Sequence, residues 1–162
     1  MQWIRCYLRK WVGKHEQRPP RVTYEDLALS GFIFLIGSFG ATAVLLFAQP
    51  KAVVSQPRNM IGGQLICAIV GCIVRILLVD RECSVAAMLA VSISIGLMLY
   101  TETLHPPAGA TALIAVIGEH PKEWAGFLFI FMPVLSAQLV MLCTALIINN
   151  IPSDRSYPTF WW

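Results

Sequence analysis

The residues of this 162-residue chain best equipped for chemistry lie in one short stretch, HPPAGATALIAVIG, from His105 to Gly118. His105 has the one side chain whose ordinary charge change falls near neutral pH, so it could cap a helix, donate to an anion or relay a proton. Pro106 and Pro107 are tolerated in a first helical turn, which predicts a new short helix just after His105. A helix start leaves backbone N–H groups without intrahelical partners and carries about half a positive charge, so it suits a small anion without a buried lysine or arginine. Gly109 would let such a ligand approach the backbone, and the Thr111 hydroxyl adds a donor. Glu102 stands three residues before His105 and would meet it if the helix persisted that far, giving a proton-sensitive pair.

The glycine-alanine-threonine core of this stretch occurs earlier as GATAVLLFAQP, from Gly40 to Pro50. Aligning Gly40 to Thr42 with Gly109 to Thr111 sets the copies 69 residues apart. Each runs on through small and branched apolar residues to a proline-marked loop, Pro50 or Pro121, and then to a long apolar helix, Met60 to Val79 or Trp124 to Ile148. An internal two-fold repeat is therefore expected, parallel or inverted according to whether the second short segment crosses the bilayer or turns back. Gly37, Ser38 and Gly40 could break the opening span and start a half-helix with Thr42 one turn in, and broken helices with facing ends near the membrane midplane are a transporter device. Small residues also simply permit close helix packing. Arg58 and Asn59 could seal an anion path, or lie at the interface as arginines flanking spans commonly do. Arg75, close to Asp80 and Arg81, reads as a snorkelling or paired residue.

Other chemistries find little support. Cys6, Cys67, Cys72, Cys83 and Cys143 form no C-x-x-C and read as free thiols packing as small apolar residues. With no paired carboxylates, nucleophile–histidine set, phosphate loop or metal cluster, neither an enzyme nor a cofactor is expected. Arg5, Arg9, Lys10, Lys14, Arg18 and Arg21 outweigh Glu16, Glu25 and Asp26, which accounts for the whole net charge of +3. No basic stripe with interleaved aromatics continues into the body, so no nucleic-acid partner is expected.

The elements that must position these residues are membrane helices. With 57% hydrophobic and 13% charged residues and a mean hydropathy of +0.66, the chain is too apolar for a soluble domain of its length. Uncharged runs of 24 residues between Asp26 and Lys51, 19 from Cys83 to Thr101 and 30 from Trp124 to Ser153, with Met60 to Val79 interrupted only by Arg75, give about four spans. The short apolar piece around His105 to Gly118 is an additional broken or re-entrant helix. The fold class is thus an all-α membrane protein in three parts. Residues 1–22 form a basic amphipathic surface helix stopped by Pro19 and Pro20, residues 23–150 the transmembrane domain, and residues 151–162 a tail whose Tyr157, Phe160, Trp161 and Trp162 suit an interfacial anchor. Asn149 and Asn150 are expected to cap the final helix.

The segments GSFGATAVLLF, SQPRNMIGGQLICAIVG and TLHPPAGATALIAVIG, followed by an apolar span closing in Asn149 and Asn150, resemble the HPP family of integral membrane proteins from about Leu29 to Asn150. The resemblance implies a four-span fold, and because plant members resemble nitrite transporters of the plastid envelope, it implies a carrier of a small anion such as nitrite. The membrane would then be a plastid, mitochondrial inner or bacterial inner membrane. Four or five helices leave little room for a conduit within one copy, so a homo-oligomer is expected, in contact with lipid. The competing expectation is a non-transporting accessory subunit of a larger membrane complex. Positive segments flanking a first span are retained on the cytosolic, stromal or matrix side, so protease should reach Met1 to Val22 only from that face of sealed vesicles. Cleavage from the outer face alone would reverse the assignment.

Overall fold

The computed structural model describes residues 37–78, 83–118 and 126–161; the expected surface helix at 1–22, the proline-marked loop at Pro121 and Trp162 lie outside them. Among the described residues the regular structure is helical throughout. Helix α1 is Gly37–Ala48, a 3-10 turn follows at Val53–Ser55, α2 is Pro57–Leu78, α3 Cys83–Tyr100 and α4 Ala108–Ile117. A π-type turn at Ile130–Leu135 then leads into α5, Ser136–Asn149. Within the described residues, each apolar run read as a span contains a helix. Among the described residues, Pro57–Leu78 and Ile130–Asn149 are long and apolar enough to cross a bilayer by themselves, whereas the described lengths of α1, α3 and α4 are shorter. At 1.5 Å per residue, α4 reaches only about 15 Å, half a hydrocarbon core.

Helix α2 starts three residues earlier than its uncharged run suggests, because Pro57 occupies the first helical position, where its missing N–H costs nothing. The last span is not continuous. Met132 leaves helical geometry (φ −128°, ψ 115°) just before Pro133, which has no N–H to offer the preceding turn. At its far end Asn150 closes the helix, its Nδ2 donating to the Leu146 carbonyl at 2.7 Å. Asn149 instead donates to the Leu46 carbonyl at the end of α1, at 3.0 Å.

Successive helices run in opposite directions. The ends of α1, α3 and α5 and the starts of α2 and α4 gather at one end of the bundle, tied by bonds from Arg58 to Thr101 and Asn149 to Leu46. Helix α4 descends beside α2, with Thr103 and His105 against Gly62 and Gly63, and Ala112 and Ala115 against Gly71. The two pack closely because α2 presents no side chain there. A Cβ on Gly71 would lie 2.5 Å from the Ala115 Cβ and 2.8 Å from the Ala112 carbonyl oxygen. Helix α3 covers the same pair with Ala86, Ala87 and Ala90, one small stripe against Val70, Val74 and Val116. Its other faces are open, with Met88 71% and Leu99 58% exposed, as suits a helix bordering lipid.

The tail differs from the anchor expected of it. Tyr157 is only 3% exposed because its ring joins Leu46, Met60 and Leu142 in one cluster, while its hydroxyl donates to the Ser55 carbonyl at 2.8 Å. Trp161 is 51% exposed. Replacing Gly71 with Val should lower the thermal unfolding midpoint of the purified protein, since overpacking a tight contact costs about 1–3 kcal/mol. Gly96→Ala on α3 should leave it within error, because a Cβ there meets nothing within 4 Å.

Candidate functional site

The helices bury a connected set of uncharged polar groups where α1, α2 and α4 meet. Gln64 of α2 is fully buried. Its Nε2 donates to the Ser38 Oγ of α1 at 3.1 Å, and its Oε1 accepts from the Thr111 hydroxyl of α4. Ser38 and Thr111 are themselves 2.9 Å apart, which closes a ring of three side chains from three helices. Ser38 has one proton to give and two acceptors for it, Thr111 and the Pro107 carbonyl oxygen at 2.9 Å.

One turn further along α1, Thr42 leads to His105. Its Oγ1 stands 3.0 Å from His105 Nε2 and 3.0 Å from the Ser38 carbonyl oxygen. His105 lies in the loop between α3 and α4 and is fully buried, and burial pushes its imidazole down to about 4, against a smaller upward pull from the Val54 carbonyl. The ring is therefore neutral at pH 7. Its Nδ1 carries the proton, because the Val54 carbonyl oxygen 2.7 Å away can only accept. Nε2 is then an acceptor and takes the Thr42 proton. Protonating the ring reverses this bond, and the Thr42 hydroxyl turns back to the Ser38 carbonyl.

The residues singled out in the sequence separate into two groups. Thr42, His105 and Thr111 come together in the buried set. Arg58, Asn59 and Glu102 hold the 101–104 loop instead. Arg58 donates to the Thr101 carbonyl at 2.9 Å and pairs with Glu102 at 3.4 Å in a largely exposed position, while Asn59 donates to the carbonyls of Glu102 and Leu104 at 3.3 and 3.1 Å. Glu102 does not meet His105. Helix α3 ends at Tyr100, and Glu102 takes a left-handed φ of 54° that turns its carboxylate to solvent and sends His105 inward.

The helix start after His105 is also differently used than its sequence suggests. Pro106 and Pro107 carry no N–H, and the amides of Ala108, Gly109 and Ala110 donate to the carbonyls of His105, Pro106 and Pro107 at 2.9, 3.2 and 3.2 Å. The first turn closes on itself, so its backbone is not an open anion cradle. A Cβ on Gly40 or Gly109 would meet nothing within 4 Å among the described residues, so neither glycine is needed for close approach to them. Pro106 is exposed and Pro107 buried. Ser38, read in the sequence only as a helix breaker beside Gly37 and Gly40, is almost fully buried, and Gln64 and Gln138, which the spacing argument did not single out, are polar residues inside apolar runs and fully buried.

At the same end of the bundle, a surface groove of about 550 Å³ is lined by Ala48, Gln49, Pro50, Lys51, Ala52, Asp154 and Arg155. No group of histidine, cysteine, aspartate and glutamate that could hold a metal occurs among the described residues. Cys67 and Cys72 are buried free thiols and Cys143 is exposed.

Long apolar helices around an uncharged polar seam define a helical membrane protein. The family model for the HPP transmembrane region matches residues 22–158, and the chain belongs to that family. It is 43% identical to each of two transmembrane proteins of Dictyostelium discoideum, over 99% of this chain and 65% of the relative in one case and 96% and 57% in the other. The chain thus spans about three fifths of the length of these curated relatives. No solved structure matches it.

His105 ties site chemistry to stability. An unfolded histidine takes up its proton near pH 6.5 and the folded one only near 4, so the unfolded state binds more protons between these values and stability falls as pH drops through that window. Thermal unfolding midpoints from pH 7.5 to 4 should show this decline, and His105→Gln should flatten it. Equal slopes would mean that His105 is not held neutral by burial.

Proposed function

We propose that the chain carries a small oxyanion-forming solute, nitrite being the example, across a membrane, and that the solute passes along the buried seam of Ser38, Thr42, Gln64, His105 and Thr111. The observation that carries this reading is the seam itself. Five polar side chains from three elements and a loop are buried together inside an apolar bundle, linked by hydrogen bonds. Buried polar groups in membrane helices are a default mark of a functional path. Lys51 and Arg155 line the groove at the His105 end and would raise the local concentration of anions there. The protein acts in this reading as a carrier and not a catalyst. The resemblance to plastid-envelope nitrite transporters supports an organellar or bacterial inner membrane as its setting.

An inverted repeat belongs to the same proposal. Helices α1 and α4 carry the two glycine-alanine-threonine copies in opposite directions, and a long apolar helical segment follows each. Ser38 and Pro107 hold equivalent positions under the 69-residue offset and are bonded to each other, so a local two-fold axis would pass between them. Such an axis relates the two ends of the seam, as alternating access requires. A non-transporting subunit of a larger assembly is the second reading. It is favoured by Gly37 and Gly40, where a Cβ would meet nothing within 4 Å among the described residues, a small-residue face of the kind that permits close packing by a further helix.

Nitrite flux into liposomes containing the purified protein tests the proposal between pH 5 and 8. His105→Ala and Thr42→Val should each lower uptake roughly tenfold or more, the worth of a hydrogen bond of about 1.5–3 kcal/mol. Glu102→Gln, at the exposed end of the loop, should leave it unchanged. If folded wild-type protein carries no nitrite at any pH in this range, the transport reading fails and the subunit reading replaces it.

A further inference from the structure

Gln138 of α5 is fully buried, and neither its Oε1 nor its Nε2 has a partner. Its register shows what it faces. Four residues to either side on the same face, Val134 belongs to one apolar cluster with Ala68 of α2 and Leu142 to another with Met60 of α2. Ala68 and Met60 stand four residues to either side of Gln64. The two amides therefore stand at about the same level of α5 and α2, between the same pair of apolar clusters. Gln64 spends one N–H on Ser38 and one lone pair on Thr111, which leaves it one N–H and one lone pair.

We infer that Gln138 and Gln64 form two walls of a binding site for a small weak acid in its uncharged form, HO–X=O, and that Gln138 selects that form; this rests on the transport reading of the seam and names the species carried. A primary amide sets a donor and an acceptor side by side. The acid's O–H donates to Oε1 while its X=O accepts from Nε2–H, two parallel bonds in one plane. The deprotonated anion would bring a negative oxygen against Oε1 and lose one of the two bonds.

The surroundings favour the same species. Among the described residues no aspartate, glutamate, lysine or arginine is buried. Arg58 and Glu102 pair at the His105 end, Arg75 lies against Gly126 at the other, and Lys51, Asp154 and Arg155 line the surface groove. The one titratable side chain on the seam is His105. A lone anion would therefore meet no buried counter-charge among the described residues, at a high desolvation cost that the neutral acid avoids. The anion takes a proton from water at one mouth, crosses as the acid and returns the proton to water at the other. One anion and one proton move together, with no net charge.

Formate and nitrite serve as protonatable probes, and nitrate, planar like formate, as one that stays charged at these pH values. In liposomes of the full chain carrying an internal pH dye, with protein-free liposomes as background, formate uptake should acidify the lumen, quicken as external pH falls and ignore an imposed membrane potential. Nitrate should enter at least tenfold more slowly. Gln138→Leu, with its unfolding midpoint near that of wild type, should lower formate uptake at least tenfold. Potential-driven uptake without acidification, nitrate carried as fast as formate, or full activity of Gln138→Leu, which would mean the amide holds a structural water only, each overturns the inference while leaving transport standing. Absence of all flux in wild type sinks the transport reading. The site then stands or falls on whether formate at pH 5 raises the melting midpoint of wild type and not of Gln138→Leu.

Discussion

Hydrocarbon supplies no hydrogen bonds, and the fold follows from meeting that constraint for a set of polar side chains placed where helices cross. Gln64 is the hinge of the solution. Its amide reaches Ser38 on one side and Thr111 on the other, which fixes α1 and α4 against α2 at a single level. The glycines of α2 make this possible, since Gly63 and Gly71 let the loop at His105 and the body of α4 come close enough for side chains as short as threonine to bridge. Removing any one member would strand the others, so the arrangement is specific in a way that apolar contacts alone would not be.

The loop from Thr101 to Pro107 shows how a short polar segment enters an apolar bundle. Proline twice in succession removes two N–H groups that would otherwise need partners, and the next three amides bond to the carbonyls just before them. Asn59 takes two further carbonyls. The backbone is thereby nearly self-sufficient, and the one side chain with something to exchange, His105, is delivered inward with its tautomer set by Val54.

Much of this was legible in the sequence and the rest had physical reasons not to be. Long uncharged runs mark membrane helices because few other settings tolerate them, and His105, Thr42 and Thr111 stood out by their place in the two matching segments. The partner of His105 was not legible. Spacing suggested Glu102 on a continuing helix, but a left-handed residue at Glu102 ends that periodicity, and no simple pattern marks a non-glycine residue for that conformation. The expected amide cradle failed because a tight first turn consumes its own donors, a matter of geometry and not of residue type. Gln64 and Gln138 did carry a signal, a primary amide in mid-span, where a polar side chain must be either costly or used. The break at Met132 had its cue in Pro133.

The fastening of the tail has a consequence for biogenesis. Val54, which orients His105, sits in the loop held from outside by Tyr157 on Ser55 and by the Thr159 amide on Gln56, contacts 102 and 103 residues apart in sequence. A chain made from its N-terminus therefore makes α1 to α5 before these clasps can form. The loop that carries Val54 is thus clasped only after residues 157–159 have been made, late relative to the His105 segment it orients.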